Sequence, residues 1–240
     1  MMWRWRICFE AAVLCLAALP VWGATVSGEV RLTNSSNSSV NKRKDFSGVA
    51  VWLSPPENAG RLTKKRVQML QKDKRFTPHV LVIETGTTVD FPNADPIFHN
   101  AFSNYDGQIF DTALYPPGSS KSIRFRRAGI VRVFCNIHPS MSAVIVVVDS
   151  GLFGTTNEDG RFSISDVPNG AYQVHFFHER STPEMLDRLT SPVSINSNEI
   201  KLQPITISET GYLPVAHKNK YGREYPPNAE EQSGYGGLAR

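Results

Sequence analysis

The stretch Cys135-Asn136-Ile137-His138-Pro139-Ser140-Met141 decides how the rest of this 240-residue sequence is read. It follows Val131-Arg132-Val133-Phe134, which has the β-branched, alternating character of a strand, and it precedes a second apolar run from Ala143 to Val148. The end of a strand therefore delivers a thiol, an imidazole and a thioether in a Cys-x2-His-x2-Met spacing. Taken singly, each is bland: a lone cysteine is a small buried hydrophobe, a lone methionine fills a core, and a lone histidine packs or sits on a surface. Together in one short loop they make a metal-ligand set. Upstream, Asp95-Pro96-Ile97-Phe98-His99-Asn100 supplies a second imidazole.

A thiolate and two imidazoles in a plane, with a weak axial thioether, suit a copper ion cycling between Cu(I) and Cu(II). The soft thiolate favours Cu(I) and the imidazoles hold Cu(II), so neither state demands a large rearrangement. The expectation is one copper ion on His99, Cys135, His138 and Met141. A His2Cys set also accepts zinc, and that alternative stays open.

Working outward, the cysteine count supports a ligand role. Of three cysteines, Cys8 and Cys15 fall in a segment that reads as an export signal over residues 1–23: two arginines by Arg6, the apolar run Ala11 to Leu19, and small residues around Gly23 and Ala24. The run is short of the roughly 20 residues a membrane span needs. The expectation is therefore a periplasmic or secreted protein without stable membrane insertion. Export would leave Cys135 as the single thiol in an oxidising compartment, where metal ligation protects it. The net charge of +4 is too small and too dispersed to argue for nucleic acid. The basic runs Lys42-Arg43-Lys44 and Lys64-Lys65-Arg66 read as solvated loops or as a face for an acidic partner.

Strand signals dominate, and the expected class is all-β. Val26 to Leu32, Val49 to Leu53, Val80 to Ile83, Thr88 to Phe91, Ser122 to Phe125, Phe162 to Ile164, Tyr172 to Phe176, Val193 to Ile195 and Ile205 to Ile207 read as strands, with Gly- and Pro-rich turns between them. Asn34 to Asn41 reads as a polar loop, Pro55 to Arg66 as a linker, Pro183 to Leu189 as a short helical excursion, and residues 211–240 as a mobile tail.

On these residues, 68–149 resemble a cupredoxin, similar to plastocyanin and, in the spacing of the ligand loop, to amicyanin. Phe76-Thr77-Pro78 through Val82, Gly86 to Phe91, Phe98-His99-Asn100 and Gly129 to Cys135 carry the likeness. It implies a Greek-key β-sandwich with His99 and His138 as equatorial imidazoles, Cys135 as thiolate and Met141 as axial ligand. It also implies that Asn100 hydrogen-bonds toward the cysteine loop, and that Pro139 lies on an apolar rim around an exposed histidine through which electrons pass. The flanks resemble a carboxypeptidase regulatory-like domain of the carbohydrate-binding-like fold, on Val26 to Val30, Phe46 to Leu53, Thr156 to Ile164, Val167 to Gly170 and Tyr172 to Val174. A second small sandwich of residues 24–56 and 150–210 is therefore expected, with the cupredoxin nested in it. That arrangement, with Phe177-His178-Glu179, resembles the cupredoxin-like proteins of methylamine utilisation.

The implied function is one-electron transfer with a redox protein such as a c-type cytochrome or a dehydrogenase. Three rivals remain: a copper chaperone or storage protein, a glycan- or protein-binding module in which the outer sandwich acts, and a zinc site on the same ligands. No enzyme is expected, because no Ser/His/Asp arrangement, phosphate loop or paired carboxylates occur in a convincing setting. The further His-rich motifs of multicopper oxidases and copper nitrite reductases are also missing from the sequence. His175 and His178, three apart on a strand, face opposite ways and make a poor ligand pair. His79 and His217 have no neighbour in sequence to work with, and Asn157-Glu158-Asp159 reads as a turn rather than a calcium loop. Asp95, close to His99 in sequence, is placed to bias the local potential, but a loop carboxylate reads first as solvated.

Overall fold

The computed structural model describes residues 23–55, 65–104, 107–212 and 217–227. The segment expected to be an export signal lies outside the described residues apart from Gly23, as does most of the expected linker. The architecture is all-β and sandwich-like, as expected.

Strands from Arg66 to Val148 form one set of sheets. Ser142–Val148 lies between Gly129–Phe134, antiparallel, and Val80–Glu84, parallel. Facing them, Thr88–Pro92 pairs antiparallel with Ser120–Arg124 and parallel with Arg66–Gln68. A small hairpin, Leu70–Lys72 with Arg75–Thr77, closes one side. Inward residues alternate along each strand, so Ile83, Val89, Phe91, Phe125, Val131, Val133 and Ile145 fill the space between the sheets.

The remaining strands build a second pair of sheets. In one, Ala24–Thr33 pairs antiparallel with Arg161–Val167 and parallel with Glu199–Lys201 and Ile205–Ser208. In the other, Ala50–Ser54 lies between Phe153–Thr155 and Gly170–Phe177, with Ser191–Ile195 beyond. Val26, Val30, Val51, Leu53, Phe162, Ile164, Val174 and Phe176 form their core. The turn Asn157 to Gly160 closes as expected, Gly160 N–H donating to the Asn157 carbonyl at 2.9 Å. Gly160 has φ +78, and a Cβ there would meet the Val30 carbonyl oxygen at 2.0 Å, so only glycine fits.

The two sandwiches meet on Ser142–Val148, which explains its unbroken apolar run. Ala143, Ile145 and Val147 face the inner core, while Val144, Val146 and Val148 pack with Val82 against Ala50 and Phe177 of the outer sandwich. A strand covered on both faces loses the polar half of its alternation. At about 1.5 kcal/mol or more per fully buried valine, this face is a substantial share of a domain's net stability.

Two local expectations are corrected and one holds. Part of the polar loop folds into a short helix, Ser38–Arg43, because the Asn37 side chain accepts from Ser39 N–H at 2.8 Å and Val40 finds a buried site. Pro183–Leu189 is helical as expected, started by Thr182 and by proline at the first turn. The tail is not loose throughout: residues 217–227 lie on the ligand loop.

Candidate metal centre

The loop from Cys135 to Met141 joins Gly129–Phe134 to Ser142–Val148 and is pinned by its own backbone. Cys135 N–H donates to the Met141 carbonyl at 3.1 Å, and Met141 N–H donates to the His138 carbonyl at 3.0 Å. His99 sits on an isolated bridge rather than on a full strand. Its N–H donates to the Tyr115 carbonyl at 3.3 Å, and its carbonyl accepts from Tyr115 N–H at 2.9 Å. Tyr115 is itself fixed by its buried hydroxyl, which donates to the Phe91 carbonyl at 2.8 Å and accepts from Gln71 Nε2.

This scaffold brings three of the four expected ligands to one point. His99 Nδ1 lies 3.1 Å from His138 Nδ1 and 3.8 Å from Cys135 Sγ, and His138 Nδ1 lies 3.4 Å from Cys135 Sγ. All three residues are 0% exposed, and theirs is the one group of possible metal ligands found among the described residues. A circle through the three atoms has a radius of about 2.0 Å, the length of a metal–imidazole bond and slightly under that of a metal–thiolate bond. The donor set fits a single soft or borderline ion. Met141, the fourth expected ligand, is fully buried in the core cluster that holds Cys135.

Around the triangle, Asn100 does what the resemblance implied. Its Oδ1 accepts from Asn136 N–H at 2.7 Å and lies 3.6 Å from Cys135 Sγ, while its Nδ2 donates to Asp111 Oδ1 at 3.2 Å. Asp95 is more than the solvated carboxylate expected of it. It is buried, it accepts from His99 Nε2 at 2.7 Å, and it takes the N–H groups of Asp73 at 2.6 Å and Lys74 at 2.9 Å. Burial works against its ionisation, but the Lys74 N–H, the His99 imidazole and the Asp73 N–H together hold its pKa below the ordinary value. Burial also lowers the pKa of His99, with Asp95 opposing.

The resemblance implied an exposed histidine behind a Pro139 rim; His138 is instead 0% exposed. The loop is overlaid by residues 217–227. His217 Nε2 meets the Pro139 carbonyl at 2.7 Å, and its ring stacks on Phe134 with centroids 4.0 Å apart. Tyr225 donates to the Cys135 carbonyl at 2.7 Å, Lys220 N–H donates to Asn136 Oδ1 at 3.0 Å, and Lys220 Nζ pairs with Asp111 at 2.7 Å. His217 thus has partners about 80 residues away that no local reading could supply.

The other histidines lie elsewhere. His175 stacks on Trp52 and meets Ser54 Oγ at 2.8 Å. His178 is buried and meets Glu209 at 3.0 Å, so the two are not a ligand pair. His79, expected to stand alone, reaches Glu179 of the outer sandwich at 2.7 Å.

No family model matches the chain, and no curated protein matches it. Solved structures do resemble part of it, and those below are cupredoxins or copper proteins. A copper-containing nitrite reductase from Thermus scotoductus SA-01 is 29% identical at a TM-score of 0.34, over 40% of this chain and 25% of that one, so the chain spans about a quarter of that enzyme. A purple cupredoxin from Nitrosopumilus maritimus is 23% identical at 0.32, over 34% of this chain and 99% of that one. Amicyanin from Paracoccus versutus is 19% identical at 0.33, over 40% and 97%.

Proposed function

We propose that this protein is an exported one-electron carrier, not an enzyme, whose inner sandwich (residues 68–149) holds one copper ion on His99, Cys135 and His138, with Met141 as the weak fourth ligand. The observation that carries this reading is the buried Nδ1–Nδ1–Sγ triangle. Bound there, copper supplies a reversible Cu(I)/Cu(II) couple. The chain's own residues do the rest. Asn100 ties the His99 segment to the cysteine loop, Asp95 holds the His99 ring in one orientation, and the enclosing core excludes water from the thiolate. A site fixed before the electron arrives needs little rearrangement when it does.

In this reading, residues 24–56 and 150–210 form one discontinuous carboxypeptidase regulatory-like sandwich that carries the inserted copper domain. The partner is a periplasmic redox protein such as a c-type cytochrome or a dehydrogenase. Complete burial of the three ligands supports a carrier over a chaperone or storage protein, which must hand its metal on. Glycan binding by the outer sandwich has no observation in its favour.

The copper-loaded protein is expected to show an intense visible thiolate-to-copper absorption and a reversible one-electron couple, and Cys135→Ser to abolish both. Zinc bound at full occupancy in purified protein that stays colourless with added Cu(II) would refute the proposal, as would colour retained by Cys135→Ser.

A further inference from the structure

The hairpin tip between Lys72 and Arg75 places two consecutive residues, Asp73 at φ +54 and Lys74 at φ +53, in the left-handed region. Two positive φ values in a row are the signature of a tight hairpin turn whose successive N–H groups can converge on one anion. Here both converge on the carboxylate of Asp95, at Oδ1 and Oδ2. Asn93 sets the carboxylate from the other side, its Oδ1 accepting from Asp95 N–H at 3.0 Å and its Nδ2 donating to the Ile97 carbonyl at 2.8 Å. Asp95 is thus clamped in a buried position, with one oxygen left 2.7 Å from His99 Nε2.

That contact has two consequences. A carboxylate accepts only, so the neutral His99 ring must carry its proton on Nε2, and the lone pair is left on Nδ1, the atom that faces Cys135 Sγ and His138 Nδ1. The carboxylate also adds negative charge to the far side of the ring, making the imidazole a stronger donor. With 6% of Asp95 exposed, water screens this charge little. An added negative charge favours the more positive metal state.

We propose that Asp95 is a positioning residue that fixes the His99 tautomer and biases the bound copper toward Cu(II), lowering the reduction potential of the site. This rests on the copper reading above. A backbone carbonyl in the same place would orient the ring equally well, but it would bring no net charge. The hairpin clamp holds the charge where it acts.

The test loads wild type, Asp95→Asn and Asp159→Asn with copper, and measures the thiolate absorption and the midpoint potential of each. Asparagine keeps an oxygen acceptor and removes the charge; Asp159, an exposed outer-sandwich residue, is the charge control. The expected result is retained absorption in Asp95→Asn with a raised potential, and an unchanged control. Removing a carboxylate partner of a ligand typically weakens metal affinity about 10- to 100-fold. Each tenfold loss of Cu(II) affinity relative to Cu(I) raises the potential by about 59 mV. Retained absorption with an unchanged or lowered potential overturns the inference and leaves the copper reading standing. A wild type without the absorption overturns the copper reading itself. Nitrogen NMR of the metal-free wild type decides the tautomer whether or not the variant folds: a His99 proton on Nδ1 rather than Nε2 overturns the role of Asp95.

Discussion

Loosening the C-terminal segment should open the ligand loop to reagents by an amount that follows from the contacts it makes. Tyr225 donates one part-buried hydrogen bond to the Cys135 carbonyl. Such a bond contributes about 1 kcal/mol net, so Tyr225→Phe should raise the open fraction about fivefold. His217→Ala removes the bond to the Pro139 carbonyl and the stack on Phe134. A second hydrogen bond adds about 1 kcal/mol and an aromatic pair about 0.5–1.5 kcal/mol, so the double variant should lose about 3 kcal/mol and open on the order of 100-fold more often. The assay is alkylation of the Cys135 thiol in metal-free protein by a small neutral reagent at one pH, with the Cys135 peptide followed by mass spectrometry. The thiol is completely buried, so its labelling reports opening. Global unfolding is checked separately by near-ultraviolet circular dichroism. If the double variant labels at the wild-type rate, the segment does not close the site and the reasoning is wrong.

Two further outcomes test the frame around the site. Asn100→Ala leaves the Asn136 N–H without its acceptor beneath the ligand loop, so stability should fall by about 1–3 kcal/mol. A calorimetric Tm within a degree of wild type would contradict that bond. The His79–Glu179 pair makes stability depend on pH in a definite direction. The Glu179 hydrogen bond raises the pKa of His79 above its ordinary 6.5, against the effect of burial. Its contribution is therefore fully present below pH 6.5 and is lost as pH rises through the raised value. Denaturant titrations of His79→Gln should show a steeper loss of stability than wild type on acidification from pH 8 to 6, and parallel slopes would count against the pair.

The grouping of Cys135 with His138 was legible in the sequence because their spacing is local. Cys135 and His138 are three apart at a strand end, a spacing that keeps the two side chains within reach of each other. The turn at Asn157 to Gly160 and the alternation of Val26 to Leu32 were legible for the same reason. Ser142–Val148 was recognisable as a strand, but not as the strand on which both sandwiches pack, since a continuous apolar run says only that both faces are covered.

Tertiary structure alone decided the surroundings of the site. Asp95 is four residues from His99, yet its burial depends on the hairpin tip at Asp73 and Lys74, some twenty residues earlier. His79 with Glu179, and Tyr225 with Cys135, pair across 90 or more residues. Such contacts are set by sheet register and by how two sandwiches dock, quantities to which every strand contributes and which no short window contains. A thiol and an imidazole can be set side by side within seven residues, whereas the approach of His99 and the dielectric, charge and closure around the site belong to the whole fold.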